Sequence, residues 1–523
     1  MEQPPLGRRL AWSTAIFSAA TGLSRVLGLF REVVARRYFG VEGPINAFTV
    51  AFQIPNLVRA LVADAALSSA FVPVFSELLE KGERARAWRV ASSLFWLLLL
   101  GLGGLTALFI LIAPWVMAVF GLPPGYEDLS VTLSRILFPI VALLGVSGIV
   151  VGILNSYDHF TVPALTPVAW NLAIILGLVL GVPRVEGADH ELYVYAGSIV
   201  AGTVIQVLLP LPWLAGRDGR LRVAIDIRDP AVKQVFVLMV PVMLGLGLIN
   251  FNTVIGTFFA ARYIDPTISP SAIDAAFRIY MLPQGMFSVA IATVLFPALA
   301  RYATRVDMEG FRTTVGAGVR QINFLLVPAA AVSAVLAEPI VRLLYQRGDF
   351  DANETPVVAG ALAAFSLGLA FNGTMLMLNR AFFSLQSPWV PTAVALGNLG
   401  LNTALYVALY RVGTWGIPLA ISLANIAGAA ALVALLRLRV GPVDAGRMAD
   451  SLVRVTLAAG VLAAVAYGIW WVLDDALGRS FGGQLGSLAA ALAAGVLAYL
   501  VSCRLLRVRE LDSLLTLLAR RRG

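Results

Sequence analysis

Leu94-Phe-Trp-Leu-Leu-Leu-Leu-Gly-Leu-Gly-Gly-Leu-Thr-Ala-Leu-Phe-Ile-Leu-Ile-Ala113 runs without a single charge. A helix needs about 20 mostly apolar residues to cross a hydrocarbon core roughly 30 Å thick, so this run reads as a membrane span. It lies inside one of fourteen such stretches. The first seven are 10–35, 47–75, 88–120, 129–154, 162–182, 193–214 and 232–262; the rest are 272–300, 313–337, 356–385, 389–410, 415–436, 448–473 and 483–506. Charges in the first, second and eighth leave the count between twelve and fourteen, with fourteen the expectation. The whole chain agrees with the local reading. Of its 523 residues 59% are hydrophobic and 13% charged, at a mean hydropathy of +0.84. Soluble domains carry about 25% charged residues, so this surface cannot be covered for water. The sequence therefore predicts an all-α polytopic membrane protein.

Other classes fall away on the same arithmetic. One cysteine, Cys503, excludes an internal disulfide framework, and with only His159 and His190 a protein-built zinc site is not expected. The net charge of +9 belongs to loops of an apolar chain rather than to a nucleic-acid surface, so no nucleic-acid partner is expected. Arg8 and Arg9 before 11–23 look like the head of a signal peptide, but Arg25, Arg31 and Glu32 follow directly and the segment reads as a helix. Counting Lys and Arg in the short connections gives 23 on the N-terminal side, from Arg8 to Arg522, against eight opposite: Arg36, Arg37, Arg184, Arg262, Arg342, Arg347, Arg411 and Arg479. That asymmetry predicts both termini in the cytoplasm.

The chain also resembles itself at an offset near 225. Ala51-Phe52 returns as Ala276-Phe277, Phe71-Val72-Pro73 as Phe296-Pro297, Ser156 and Val162-Pro163 as Ser384 and Val390-Pro391, and Asn171 as Asn398. Six spans separate the copies, so the halves share an orientation and an axis along the membrane normal. The expected domains are an N-terminal lobe over 1–215, a C-terminal lobe over 216–440, and two extra helices with a basic tail over 441–523. Two six-helix lobes around a central cavity suit alternating access.

Ionisable residues at membrane depth cost a few kcal/mol or more and are functional candidates by default. The set is Arg25, Arg31 and Glu32 in the first span, Arg59 and Asp64 in the second, and Asp274 and Arg278 in the eighth. Arg135, Arg320 and Arg380 sit near span ends, where they can snorkel. The plain alternative is local pairing of Arg25 and Arg59 with Glu32 and Asp64, although a spacing of five puts Arg59 and Asp64 about 140° apart on a helix. Several arginines in a dry cavity favour an anion, above all a phosphate, which guanidinium groups match bidentately. Gly101-Leu-Gly-Gly104 has no strand before it, and Asp474-Asp475 have no histidine beside them, so neither a nucleotide site nor a metal-assisted enzyme is expected. The basic stretch Lys81 to Arg89 reads as an interfacial helix on the anionic inner leaflet.

The blocks Thr21-Gly-Leu-Ser-Arg-Val-Leu-Gly-Leu-Phe-Arg-Glu32, Ala51-Phe-Gln-Ile-Pro-Asn-Leu-Val-Arg59 and Ser69-Ala-Phe-Val-Pro-Val-Phe75 resemble the MurJ (MviN) lipid II flippases. The resemblance continues through Gly152-Ile-Leu-Asn-Ser-Tyr157, Pro163-Ala-Leu-Thr-Pro167, Leu344-Tyr-Gln-Arg-Gly-Asp-Phe350 and Arg380-Ala-Phe-Phe-Ser384 before Pro388. It implies a two-lobed exporter with two added helices, thought to form a groove for the polyprenyl tail. The implied activity is moving the undecaprenyl-diphosphate-linked peptidoglycan precursor, lipid II, from the inner to the outer leaflet of a bacterial cytoplasmic membrane, without enzymatic chemistry. The family's cavity arginines map onto Arg25, Arg31, Arg59 and Arg278. Asp64 stands where the family often has an acid, as a tuner of Arg59 or a gate, and Asn46 stands where many members carry an acid with a gating role. Lipid II, membrane lipids and cell-wall synthesis proteins are the partners implied. No cofactor is expected, and the neutral Asn252, Asn398 and Asn402 leave coupling to a monovalent cation open. The alternatives are a flippase for another polyprenyl-diphosphate-linked glycan, or a multidrug exporter of the same superfamily.

Overall fold

In the computed structural model, which describes residues 6–62, 65–442 and 445–511, the run from Leu94 to Ala113 lies within one helix, Arg84–Ala118. At 1.5 Å per residue it is about 52 Å long, well beyond the hydrocarbon core. The described residues contain no strand. They divide into two compact units, one through Pro270 and one from Ser271.

The first unit contains α1 (Leu6–Phe39), α2 (Ile45–Val62), α3 (Ala65–Glu80), α4 (Arg84–Ala118), α5 (Tyr126–Leu137), α6 (Pro139–Ser156), α7 (Thr161–Leu176), α8 (Ala188–Leu208) and α9 (Pro230–Phe259). Its core is aromatic and tightly packed: Phe109 on α4 stacks on Phe138 with ring centroids 3.8 Å apart, and Phe48 on α2 stacks on Tyr195 of α8 at 4.5 Å. α1 packs on α7, while α2 lies between α5 and α9. A non-helical connection, residues 215–229, joins α8 to α9.

The second unit contains α10 (Ser269–Pro283), α11 (Val289–Thr304), α12 (Met308–Val335), α13 (Ala337–Tyr345), α14 (Glu354–Ser366), α15 (Leu369–Ser384), α16 (Trp389–Leu409), α17 (Gly416–Val440), α18 (Ala445–Leu477) and α19 (Phe481–Leu505). α14 and α15 are bent by 44° at their junction. The bend has a specific cause: the Ser422 hydroxyl on α17 reaches Ala364 O at 2.7 Å and Phe365 O at 3.1 Å, satisfying carbonyls that the broken ladder releases. Gly368 is the residue that permits it, because a Cβ there would stand 2.7 Å from the Cα of Ser422.

α18 and α19 pack on each other, α18 also on α12 and α19 on α13. They are fastened at both ends. Arg320 on α12 pairs with Glu510 at 2.8 Å, Tyr499 donates to Phe324 O at 2.7 Å, and at the opposite end the buried Arg342 of α13 pairs with Asp474 beneath the Trp470 ring. Among the described residues, ten helical stretches are long and apolar enough to cross a membrane, or eleven with the bent α14–α15 pair as one. The chain is thus an all-α multi-pass membrane protein. The stretches expected as the first, second and seventh spans are helical but lie outside those ten. Against the expected fourteen, ten or eleven stretches among the described residues pass on length and hydropathy.

Candidate functional site

Arg31 is the most elaborately held of the expected arginines. Its guanidinium lies 4.8 Å from the centre of the Trp170 ring, and its Nη1 donates to Asn171 Oδ1 at 3.2 Å, both on α7. Asn171 is itself fixed, donating to Pro167 O at 2.9 Å. The Arg31 side chain is 12% exposed and its Nε is buried with no hydrogen-bond partner. An N–H left in that condition costs about 1–3 kcal/mol unless something satisfies it. The result is a cation clamped in place with one donor unspent.

Glu32 does not complete this cation. It is buried and accepts both Nε and Nη2 of Arg36, at 3.1 and 2.9 Å, and its contact with Arg31 is 3.9 Å. Arg36 also donates to Gly40 O at 3.3 Å, closing the C-terminal turn of α1. The charge tally placed Arg36 in an external connection; it is 4% exposed and tied to the Glu32 carboxylate. Arg25, on the same helix, has an exposed side chain.

Arg59 rests on its own helix, with Nε and Nη2 donating to Asn56 Oδ1 at 3.2 and 2.8 Å. That acceptor is neutral and lies one turn earlier on the same helix. Asp64 lies outside the described residues. In the second unit Arg278 pairs with Asp274, one turn earlier on α10, at 3.1 Å. The pair is half open, at 41% and 24% side-chain exposure, and such ion pairs contribute about 0–1 kcal/mol.

Asn46 is fully buried. Its amide donates to Val41 O at 2.9 Å, Gly43 O at 3.1 Å and Thr267 O. Gly43 N also donates to Thr267 O at 2.8 Å, and Thr267 is held by Asp265 through its N–H and hydroxyl at 2.8 and 2.7 Å. Asn46 therefore fastens the α1–α2 turn to the turn before α10 by giving hydrogens, which an ionised acid could not do.

Asn171 and Trp170 were not singled out as site residues from sequence, although Asn171 marked the repeat. The available signal was a polar amide and an indole side by side in an apolar span. An apolar crevice of about 630 Å³ opens elsewhere in the unit, between α2, α4 and α9, lined by Ile54, Trp115, Phe120, Phe251 and Phe258 among others. Its lining suits hydrocarbon and offers a phosphate nothing.

With this geometry in place, comparison with known proteins is informative. The family model described as lipid II flippase MurJ matches residues 35–482. The lipid II flippase MurJ of Burkholderia cenocepacia is 32% identical over 416 residues, covering 77% of this chain and 79% of its own. The probable lipid II flippase MurJ of Vibrio cholerae is 30% identical and covers 98% of this chain and 99% of its own. Among solved structures, a lipid II flippase MurJ in an inward closed conformation superposes with a TM-score of 0.78 at 24% identity, covering 94% and 98% of the two chains. An inward-facing multidrug resistance MATE family transporter of the MOP superfamily gives 0.69 at 15% identity, covering 82% and 98%. At those identities both structures speak for the fold alone.

Proposed function

Because the chain belongs to the MurJ family of lipid II flippases, we propose that it carries lipid II, an undecaprenyl-diphosphate-linked peptidoglycan precursor, from the inner to the outer leaflet of a bacterial cytoplasmic membrane by alternating access. The observation that carries this reading is the reach of the likeness, which extends over nearly the whole of the chain and of a relative rather than through one motif. No bond is made or broken in this scheme; the protein is a carrier. The Lys and Arg distribution supports both termini in the cytoplasm.

Arg25, Arg31, Arg59 and Arg278 are assigned to the diphosphate. Their surroundings suit that task in different ways. Arg31 is clamped, so it loses little freedom when an oxygen arrives. Arg59 and Arg278 rest on a neutral amide and on a half-exposed carboxylate, and charge-assisted bonds to a diphosphate are strong enough to displace such partners. Asp64 is assigned to tuning Arg59, and Asn46 to closing the turn that flanks α2. The polyprenyl tail would stay in lipid, with α18 and α19 as its groove, since a polar cavity offers it nothing. A cationic drug would want carboxylates where these arginines stand, so the multidrug reading is not favoured.

The test uses cells depleted of their own lipid II flippase. Wild type and Arg59→Ala are expressed to equal membrane abundance, and lipid II reaching an outside-acting probe is measured. The expected result is exposure restored by the wild type and not by the variant. A wild type that reaches the membrane and restores nothing overturns the substrate; equal restoration by both removes Arg59 from the site.

A further inference from the structure

Residues 217–229, between α8 and α9, form an extended strap across the first third of α4. Its backbone is pinned by side chains of that helix. Ser92 Oγ accepts from Arg222 N at 3.1 Å, Trp96 Nε1 donates to Arg222 O at 2.9 Å, and Ser93 Oγ accepts from Asp226 N at 3.0 Å. Gly219 lies flat on the Trp88 indole, where a Cβ would come within 2.3 Å of the ring. Fixed in this way, the strap cannot rotate its faces.

Two of its three aspartates are paired within the unit. Asp218 takes Arg84 at 2.9 Å and the Tyr157 hydroxyl at 3.2 Å, and Asp229 takes Arg86 at 3.0 Å while capping α9 through Ala231 N at 2.8 Å. Asp226 is exposed and accepts only the N–H groups of Arg228 and Asp229 in its own turn, at 3.0 and 3.2 Å. Arg220, Arg222 and Arg228 are exposed and form no ion pair among the described residues. Between them Val223, Ile225 and Ile227 alternate outward at 81%, 48% and 60% exposure. The result is an exposed row of three arginines and three branched apolar side chains, with Asp226 as its one exposed acid, a net charge of two positive on a rigid backbone.

Depth decides what covers that row. The strap is bonded to Ser92, Ser93 and Trp96, all within the first two turns of the charge-free run of α4, which begins at Val90 directly after Arg89. It therefore lies at the level of the lipid headgroups, where an indole with one polar end is at home. We infer that the strap is a binding surface for anionic phospholipid headgroups, with Val223, Ile225 and Ile227 seated at the acyl boundary and Arg220, Arg222 and Arg228 on phosphates. On the orientation proposed above this is the inner leaflet. The stretch Lys81 to Arg89, which the sequence marks for that leaflet, has a different job. Lys81, Arg84 and Arg86 are paired with Glu77, Asp218, Glu83 and Asp229, so two of its three paired cations hold the strap and its last arginine alone is left over. Because α9 starts at the Asp229 cap, lipid on the strap also steadies the start of that helix.

The experiment uses the full chain carrying Cys503→Ser and a single labelled cysteine, Ile225→Cys, in nanodiscs whose two leaflets are identical, so that neither orientation nor flipping enters the result. Quenching of the label is compared for trace nitroxide lipids with a phosphatidylglycerol or a phosphatidylcholine headgroup, with Glu80→Cys as the aqueous reference. The expected result is preferential quenching by the anionic lipid. Occupancy should fall roughly fivefold for each of Arg220, Arg222 and Arg228 changed to Gln. High salt should produce a similar loss in the unsubstituted strap, a measurement that needs no variant to fold. Equal quenching by both headgroups, insensitive to salt, overturns the proposal. So does a label at 225 as open to a water-soluble quencher as the label at 80.

Discussion

Removing Asn171 isolates what the clamp on Arg31 is worth. Asn171→Ala deletes one acceptor and leaves the Trp170 ring in place. A hydrogen bond to a charged group contributes about 1.5–3 kcal/mol. This one, at 3.2 Å, is longer than the roughly 2.7–2.9 Å of the strongest charge-assisted bonds. A loss near 1–1.5 kcal/mol follows, or roughly five- to tenfold in lipid II affinity. Folding should be only modestly disturbed, since the short bond of Asn171 Nδ2, at 2.9 Å, is to Pro167 O of its own helix, and its bonds to Ser24 on α1 are long, at 3.4 and 3.5 Å. The assay is lipid II binding by purified full-length protein, run as a double-mutant cycle with Arg31→Ala. If Asn171 acts by holding Arg31, the double variant binds no more weakly than Arg31→Ala alone. Asn171→Asp adds a sharper arm: a carboxylate at that distance competes with the diphosphate for Arg31, so binding should fall further than with alanine. Additive losses in the cycle, or an aspartate variant that binds as well as wild type, refute the reasoning.

Three further outcomes follow from the same geometry. Asp474→Ala leaves the buried Arg342 without its carboxylate, and breaking such a pair costs about 3–5 kcal/mol, so α18 and α19 should become protease-sensitive before the rest of the chain. Asn46→Asp replaces an amide that donates to three carbonyls with an acceptor, and should lower thermal stability by about 1–3 kcal/mol at neutral pH, with partial recovery in acid as the carboxyl regains a hydrogen to donate. Asp229→Ala removes the α9 cap, at about 1 kcal/mol, and hydrogen exchange should rise in the first turn of α9. The Arg86 guanidinium holds the Asp229 carboxyl below its ordinary value, so the pair's stabilisation is complete above that ordinary value and disappears as pH falls through the lowered one; the alanine variant should lack this acid-side loss.

The sequence made the spans legible because hydropathy over twenty residues is a local property, and Leu94 to Ala113 needs no partner to be recognised. The 44° bend between α14 and α15 was not legible, because its cause is Ser422, more than fifty residues downstream. The intramembrane arginines could be picked out by cost, but their partners mostly could not. Arg31 finds Asn171 and Trp170 at a distance of about 140 residues. Asp274 and Arg278 are the exception: a spacing of four puts them on one helix face, and that pair was readable from the chain alone. The pairing of Arg36 was legible in the same way, since it meets Glu32 also at a spacing of four.

A common rule connects the clamp on Arg31 and the strap. In both, most acids are consumed inside the protein, and what remains outward is net positive and held still: Glu32 belongs to Arg36, and Asp218 and Asp229 to Arg84 and Arg86, with Asp226 left exposed on the strap. An arginine with a carboxylate of its own must be released before it can bind a phosphate, and that release is charged against affinity. One held by an amide, a ring or a backbone keeps its full charge for an arriving anion and loses little freedom on binding. The net charge of +9 is therefore a poor guide to where anions bind, since part of the basic inventory is already matched. The informative quantity is the subset of arginines positioned by neutral groups. Arg31, whose hydrogen bond and ring contact are both with neutral groups, is an example within the span region, and Arg222, pinned through its backbone by Ser92 and Trp96, is its counterpart at the membrane surface.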